Sequence, residues 1–488
     1  LVFVSSRRSA EAFAKKAAAA LKKSSPELDR YSEIIAKADT TASGKVLAEA
    51  VKKGAAFHHA GLPRAARAAV EEGFRKGEIV SISSTPTLAA GLNLPARRVI
   101  VRDYQRYDVR TGMNKIPVME YRQMAGRAGR PRLDPYGEAV LIAKEEKRID
   151  ELFEEFINAP AEDIKSQCQR ESELRGHLLA LITSGFASTR DEVSAFMERS
   201  FYASQKAVHR RLDRNVNKAL DFLADAGMID EVAGNFSYTG FGALSSRLYL
   251  MPETALMMKA AFSEHAGEDF SPFGVLHLLC MTPDMFRFYL KASDEKLVDK
   301  ILTDRCDELW SEECTEEFFA AVKTAAVAEE WASEVSEDMI SERFGVGGGD
   351  IHAAVENLKW LLHAAKRICH EFAPSLESEM NILEMRIANG VKEELIPLIS
   401  LKGIGRVRAR RLFSRGITNP TELLAADKAE LVSILGAATT ENVLKEAMRK
   451  GGIKRERDEE LDDVVEKNEE AAEQTKTETK KQPTLFDF

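Results

Sequence analysis

The 488-residue chain reads as an α/β domain built on a parallel sheet, followed by a mostly α-helical remainder. Three observations carry that reading. Over residues 1–145 short apolar runs alternate with helical stretches, and continuous apolar strands of this kind are typical of a parallel sheet buried on both faces. From about residue 146 the pattern turns helical. The charge divides at the same place. Residues 1–145 hold 26 Lys and Arg against 15 Asp and Glu, a surplus of 11, so the net charge of −9 leaves −20 on the rest. A basic front on an acidic chain points to an anionic ligand there.

In order, "LVFVSS" (1–6) reads as a strand before an Ala/Lys-rich helix. "AAFHH" (55–59) precedes a helix opening at Pro63, where proline suits the first turn. "EIVSISST" (78–85), "RRVIVRD" (97–103) and "GEAVLIA" (137–143) are further strands, with a helix near 119–127. Residues 166–246 read as a small helical domain ending in a hairpin around Gly234-Asn235. Residues 247–395 read as a larger helical bundle and 396–452 as a small basic helical unit. Glu456 to Glu478 carry eleven acidic residues without apolar periodicity, which predicts a disordered linker before the final "QPTLFDF".

Composition excludes several classes. No run of 18 apolar residues occurs, so no membrane span is expected. The five cysteines form no CxxC pair, which speaks against zinc and against a disulfide framework, and fits a reducing, cytoplasmic setting. The start lacks a signal-peptide pattern and a Met, and opens inside a strand-like run, so a fragment of a longer protein is expected.

The sharpest stretch is "QMAGRAGRP" (123–131), where Arg127 and Arg130 sit three apart between small residues, with glycines at 126 and 129. Glycine costs a helix roughly 1 kcal/mol against alanine, so something that approaches this segment closely must compensate. Planar guanidinium groups bind phosphate oxygens bidentately and keep their charge when partly desolvated. Upstream lies "STPTLAAGLNLP" (84–95), a strand running into a small-residue turn.

These two segments resemble motifs VI and V of superfamily-two helicases, "LVFVSSRRSA" resembles motif IV, and "AFHHAGLP" the adjoining motif IVa. The wording is similar to that of the Ski2-like group. The helical and basic segments that follow resemble its archaeal DNA-repair branch, the Hel308 family, related to the polymerase-theta helicase.

The resemblance implies a second RecA-like domain over 1–145 and a linker helix with a winged helix over 146–246. It implies a helical ratchet domain over 247–395 and a helix-hairpin-helix over 396–452. Residues 453–488 are then a disordered tail. It also implies an ATP-dependent helicase that moves three-prime to five-prime on single-stranded and forked DNA in replication-fork repair, acting as a monomer with ATP and Mg2+. Arg127 and Arg130 become arginine fingers to the γ-phosphate, and Gln123 helps to position that phosphate and the attacking water. Gly91 and Asn93 face nucleotide, while Thr85, Thr87, Ser5 and Arg7 touch the DNA backbone. The phosphate loop GxxxxGK[ST] and the acidic DExH motif of a first RecA-like domain are not in this sequence. That domain, and with it the Mg2+ ligands, is expected to be missing from this chain, leaving it inactive alone.

Three further segments bear on nucleic acid. "RDYQRYDVRTGMNKIPV" (102–118) has a turn signal near Thr111-Gly112, and the resemblance implies a strand-separating hairpin with Tyr104, Tyr107 and Met113 as its apolar contacts. In "GGGDIHAAVENLKWLLHAAKRICHEF", Ile351, Val355, Leu358, Leu362 and Ala365 form one buried stripe. Trp360 then lies nearly opposite, with Ala353, Glu356 and Arg367 on its side, and reads as an exposed stacking platform for single-stranded bases. The family's ratchet helix has an Arg one heptad before that Trp, where this chain has Ala353. "LISLKGIGRVRARRLF" (398–413) reads as a helix-hairpin-helix with Lys402, Arg406, Arg408 and Arg410 toward DNA phosphates, the last two matching the family's RAR motif.

At the end, Gln482, Leu485 and Phe488 have the Q-x-x-L-x-x-F spacing that resembles a sliding-clamp docking motif. Two other readings compete with the DNA helicase: a Ski2-like RNA helicase, disfavoured because no large inserted RNA-binding arch is evident, and a non-catalytic DNA-binding module recruited by the clamp.

Overall fold

The computed structural model describes residues 1–449 except 22, 40, 87, 89–93, 109–111, 131–133, 206–211 and 311–314. They fall into two compact units, one of residues 1–328 with 336–377, the other of residues 329–335 with those from 378 on.

The first unit opens with a five-stranded parallel sheet. Its strands are β1 (Val2–Phe3), β2 (Ala55–His58), β3 (Ser81–Ser84), β4 (Arg98–Val101) and, after a hairpin of β5 (Gln105–Asp108) and β6 (Gly112–Lys115), β7 (Glu138–Leu141). The order is β2-β3-β1-β4-β7, with Val2 beside both Ser83 and Ile100. The apolar runs read as strands are these strands. Phe3, Phe57, Ile82, Val99 and Val101 are almost wholly buried, each stabilising the core by about 1.5–3 kcal/mol. The two polar residues in the middle of the sheet are satisfied: Ser83 Oγ donates to Ala10 O at 2.6 Å, and Ser84 Oγ to His58 O at 2.9 Å. The core also takes in Leu152 and Phe156, beyond the expected boundary at 145.

The rest of this unit is helical, apart from β8 (Ile229–Val232) and β9 (Asn235–Tyr238). These two strands pair antiparallel after helices Glu171–Thr183, Arg190–Glu198 and Leu212–Asp225. Their turn is Ala233-Gly234, one residue earlier than the sequence suggested, and both residues have positive φ, 51° and 79°, as a tight right-twisting hairpin requires. The long helix Gly348–Phe372 buries Ile351, Val355, Leu358, Leu362 and Ala365, the stripe read from the sequence. In the second unit, helices Ile396–Ile399, Arg406–Phe413, Pro420–Ala425 and Lys428–Leu435 close over Leu398, Leu401, Leu412, Leu423 and Leu431. No helix among the described residues is long and apolar enough to cross a membrane.

Candidate nucleotide and nucleic-acid interfaces

Helix Val118–Ala125 ends at Gly126, and the chain then turns back onto the strand end before β4. Ala96 N–H donates to Arg127 O at 2.9 Å and Gly129 N–H donates to Ala96 O at 2.7 Å, a parallel rung that ties "GRAGR" to the end of the 84–95 segment. Gly129 has φ 95°, so this turn needs glycine for its backbone. Gln123 is exposed, and Arg127 is half-buried. Arg130 clasps Asp134 through Nε and Nη2, both at 2.8 Å, and that guanidinium holds the Asp134 carboxyl down to about 2. Arg130 also lines a cavity of about 530 Å³ whose other cationic walls are Arg75, Arg97 and Arg98. Asp134, four residues on, was missed in the sequence, although its spacing could have found it. Gly91, Asn93 and Thr87 lie outside the described residues; Thr85 follows β3, its N–H donating to His58 O at 3.4 Å.

The two residues read as motif IV contacts are already engaged. Ser5 N and Oγ both donate to Asp103 Oδ2, at 3.0 and 3.1 Å. Arg7 holds Asp350 bidentately, with Nη2 2.6 Å from Oδ1, and the hydrogen bond to that carboxylate raises the guanidinium's pKa. This pair lies at the foot of the Trp360 helix. There Gly349 N–H donates to Gly61 O, and a Cβ on Gly349 would fall 2.1 Å from Ala60 O. The glycine run before the helix thus lets it seat on the "AFHHAGLP" loop. Nothing in the sequence could pair residues 343 apart.

The 102–118 segment is a hairpin, as expected, but it presents its side chains differently. Tyr104 is 2% exposed and packs edge-on against Phe156, so it belongs to the core. Met113 is exposed, and the Tyr107 side chain lies outside what the structure describes. Trp360 is half-buried rather than fully exposed, because its Nε1–H donates to Leu248 O at 3.1 Å. Ala353, Glu356 and Arg367, on its side of the helix, are exposed.

The basic helix Arg406–Phe413 divides its cations. Lys402, Arg408 and Arg411 are exposed, and Arg408 Nη1 donates to Gly403 O at 2.8 Å across the turn. Arg406 turns inward instead, donating to Val335 O and lying 5.0 Å from the centre of the Trp331 ring. Arg410 binds Glu334 through Nε (2.7 Å) and Nη2 (2.6 Å), and Glu394 at 2.9 Å. Burial pushes the Glu334 carboxyl up, but the bonds from Arg410 and Lys392 N–H outweigh it and leave its pKa lowered.

Four family models match the chain. They are the helicase conserved C-terminal domain over residues 1–132, a helix-turn-helix domain over 137–230, archaeal helicase domain 4 over 273–390, and the SAM-like helix-hairpin-helix tandem over 395–449. The ATP-dependent DNA helicase Hel308 of Methanocella arvoryzae is 42% identical over 451 residues, covering 89% of this chain and 60% of that protein. The helicase of the same name from Pyrococcus horikoshii is 37% identical over 91% of the chain and 63% of its own length, and that of Pyrobaculum calidifontis 36% over 92% and 64%. The chain therefore spans about three fifths of the length of these relatives. With this identity along nearly its whole length, and with models that fit a helicase's C-terminal portion in series, the chain belongs to the archaeal Hel308 helicase family.

Proposed function

We propose that this chain is the arginine-finger and DNA-gripping portion of an ATP-dependent DNA helicase that moves three-prime to five-prime and unwinds forked DNA in fork repair, as a cytoplasmic monomer. The observation that carries this is the backbone rung between Ala96 and residues 127–129, which ties the segment bearing Arg127 and Arg130 to the end of the 84–95 segment. ATP supplies the γ-phosphate whose release drives movement. Toward it this chain contributes cation: Arg130 exchanges Asp134 for phosphate oxygens, Arg127 supplies a second guanidinium, and Gln123 orients water. We assign Gly91 and Asn93 to nucleotide binding. We assign the Mg2+ ligands and the phosphate loop to a partner RecA-like domain.

The domain division follows the sequence: 1–145 second RecA-like domain, 146–246 linker and winged helix, 247–395 ratchet, 396–452 helix-hairpin-helix, 453–488 tail. On DNA, Thr85 and Thr87 hold backbone, Trp360 stacks a base with its free face, and the β5–β6 hairpin with Met113 and Tyr107 meets the duplex end. Tyr104 supports that hairpin from the core. Lys402 and Arg408 face phosphate. Ser5, Arg7, Arg406 and Arg410 act at one remove, as positioning residues.

The test is a fusion of this chain to the phosphate-loop domain of a relative such as the Methanocella protein. The fusion should hydrolyse ATP in response to single-stranded DNA and open a DNA fork, while residues 1–488 alone should not. Robust DNA-stimulated hydrolysis by residues 1–488 alone, or a fusion that opens only RNA duplexes, would overturn the reading.

The "QPTLFDF" end lies outside the described residues. We propose that Leu485 and Phe488 form an apolar plug and that Gln482 reaches a polar pocket on an archaeal sliding clamp. A peptide of residues 476–488 should give heat on titration into the clamp, and Leu485→Ala with Phe488→Ala should abolish it. No heat from the parent peptide would sink the idea.

A further inference from the structure

Helix Gly240–Arg247 closes in a turn where Tyr249 N–H reaches Ser246 O at 3.1 Å and Leu250 N–H reaches Ser245 O at 3.2 Å. The left-handed seat in such a turn is ordinarily a glycine's. Gly77, Gly185, Gly227, Gly390 and Gly416 occupy it elsewhere in this chain, each followed by a residue whose N–H reaches back five positions. Among the described residues two others sit there instead. Glu334, at φ 67°, uses its side chain to hold Arg410. Tyr249, at φ 57°, is 86% exposed. A bulky residue in a strained conformation, with its ring in solvent, contributes nothing to the fold that glycine would not supply better.

The surroundings of Tyr249 say what the ring is for. The carbonyl of Leu248, next to it, is the one that takes the Trp360 indole N–H. Met251 N–H donates to Asp284 Oδ2 at 2.9 Å, which ties the same turn to the strap of residues 284–290. Asn357, one helical turn before Trp360, accepts Phe286 N–H at 2.7 Å and donates to Asp284 O at 3.3 Å. The strap is pinned further along, where Phe288 N–H meets Thr324 Oγ1 and Lys323 Nζ meets Tyr289 O, both at 3.0 Å. Phe288 points into the core while Phe286 is 55% exposed. Three rings, Tyr249, Trp360 and Phe286, are therefore presented by backbones hydrogen-bonded into one scaffold. The flanking charge includes cations: Arg247, two residues before Tyr249, and Arg367, two turns past Trp360, are exposed.

We propose that Tyr249 and Phe286 extend the Trp360 platform into a track on which successive bases of a single strand stack. Separate rigid rings flanked by guanidinium groups suit stacked bases and phosphates, whereas a protein partner would favour a contiguous apolar patch. The inference rests on the reading of Trp360 as a base-stacking residue.

The experiment is fluorescence anisotropy of a labelled oligothymidylate with the purified chain and its variants. Tyr249→Gly suits the left-handed seat, so its melting temperature should hold or rise while affinity falls on the order of tenfold, the loss of one stacked base. Tyr249→Phe should bind like the parent. Phe286→Ala should lose a similar factor and Phe286→Tyr should not. The salt dependence of binding should stay unchanged in all of them, because no phosphate contact is removed. If Tyr249→Gly and Phe286→Ala bind as tightly as the parent while Trp360→Ala is weakened, the track is refuted and the Trp360 platform survives. If Trp360→Ala also binds like the parent, the platform fails and the track with it. A Tyr249→Phe variant as weak as Tyr249→Gly would show a hydroxyl contact and refute stacking.

Discussion

The arginines of "GRAGR" and those of "RVRARR" look alike in the sequence and differ in what holds them. Arg130 is paired with Asp134, four residues along its own loop, with 41% of its side chain exposed. Arg410 is paired with Glu334 and Glu394, 76 and 16 residues away, and Glu334 also takes Lys392 N–H. A local carboxylate can be exchanged for a phosphate without moving the backbone. A carboxylate that joins three distant segments cannot be released without loosening their packing. The count of guanidinium groups in a motif is therefore not a count of phosphate contacts, and the partner's distance along the chain separates the two kinds.

The largest effect should fall on the first kind. In the fusion with a phosphate-loop domain, Arg127→Ala or Arg130→Ala should lower DNA-stimulated turnover by ~10³–10⁵, the range of arginine fingers. The melting temperature should move less in Arg130→Ala than in Arg410→Ala, because the Arg130 side chain is 41% exposed and pairs with one carboxylate on its own loop rather than with two on other segments. Equal loss of stability and turnover would erase the distinction from Arg410.

Arg410→Ala tests the other side. It leaves the Glu334 and Glu394 carboxylates without their shared donor, and hydrogen bonds to charged groups are each worth about 1.5–3 kcal/mol. Amide exchange across residues 406–413 should accelerate accordingly. The salt dependence of DNA binding should not change. Arg408→Ala and Lys402→Ala should do the reverse, leaving exchange intact and each lowering the slope of log affinity against log salt by roughly 0.9. A slope loss in Arg410→Ala equal to that in Arg408→Ala would show that Arg410 reaches phosphate after all.

The same contrast marks what the sequence could tell. The five parallel strands were legible as short runs of strand-forming residues, although β3 carries three serines and the edge strand β7 is partly exposed, and the Trp360 helix because its stripe repeats every three to four residues. The arginine pair and its glycines were legible as a motif. What stayed hidden depends on partners far along the chain: Asp350 for Arg7, Glu334 for Arg410, Phe156 for Tyr104. Periodicity assigns a residue to a face, and Trp360 was correctly set off the core stripe. It cannot show that a neighbouring segment comes up to that face, here with the Leu248 carbonyl taking the Trp360 indole N–H. Tyr249 carried no sequence signal at all, since only the backbone angle shows that it sits where glycine belongs.

The smallest effect concerns acid. The Glu334 carboxyl is net lowered, its hydrogen bonds from Arg410 and Lys392 N–H outweighing its burial. A carboxylate depressed in the fold contributes stability that is fully present above its unfolded value and is lost as pH falls through the folded one. Amide protection in residues 406–413 should therefore weaken as pH drops below the ordinary glutamate value of about 4.3. Glu334→Gln keeps the shape and removes the titration, so it should start from lower protection at neutral pH and flatten part of that acid decline. Asp134 is the control. Its partner Arg130 lies four residues away and in the other compact unit from Glu334, so Asp134→Asn should leave protection in 406–413 unaltered at every pH. If Glu334→Gln declines in acid as steeply as the parent chain, the carboxylate at Glu334 is not what fastens Arg410, and the division between exchangeable and fixed arginines loses its physical basis.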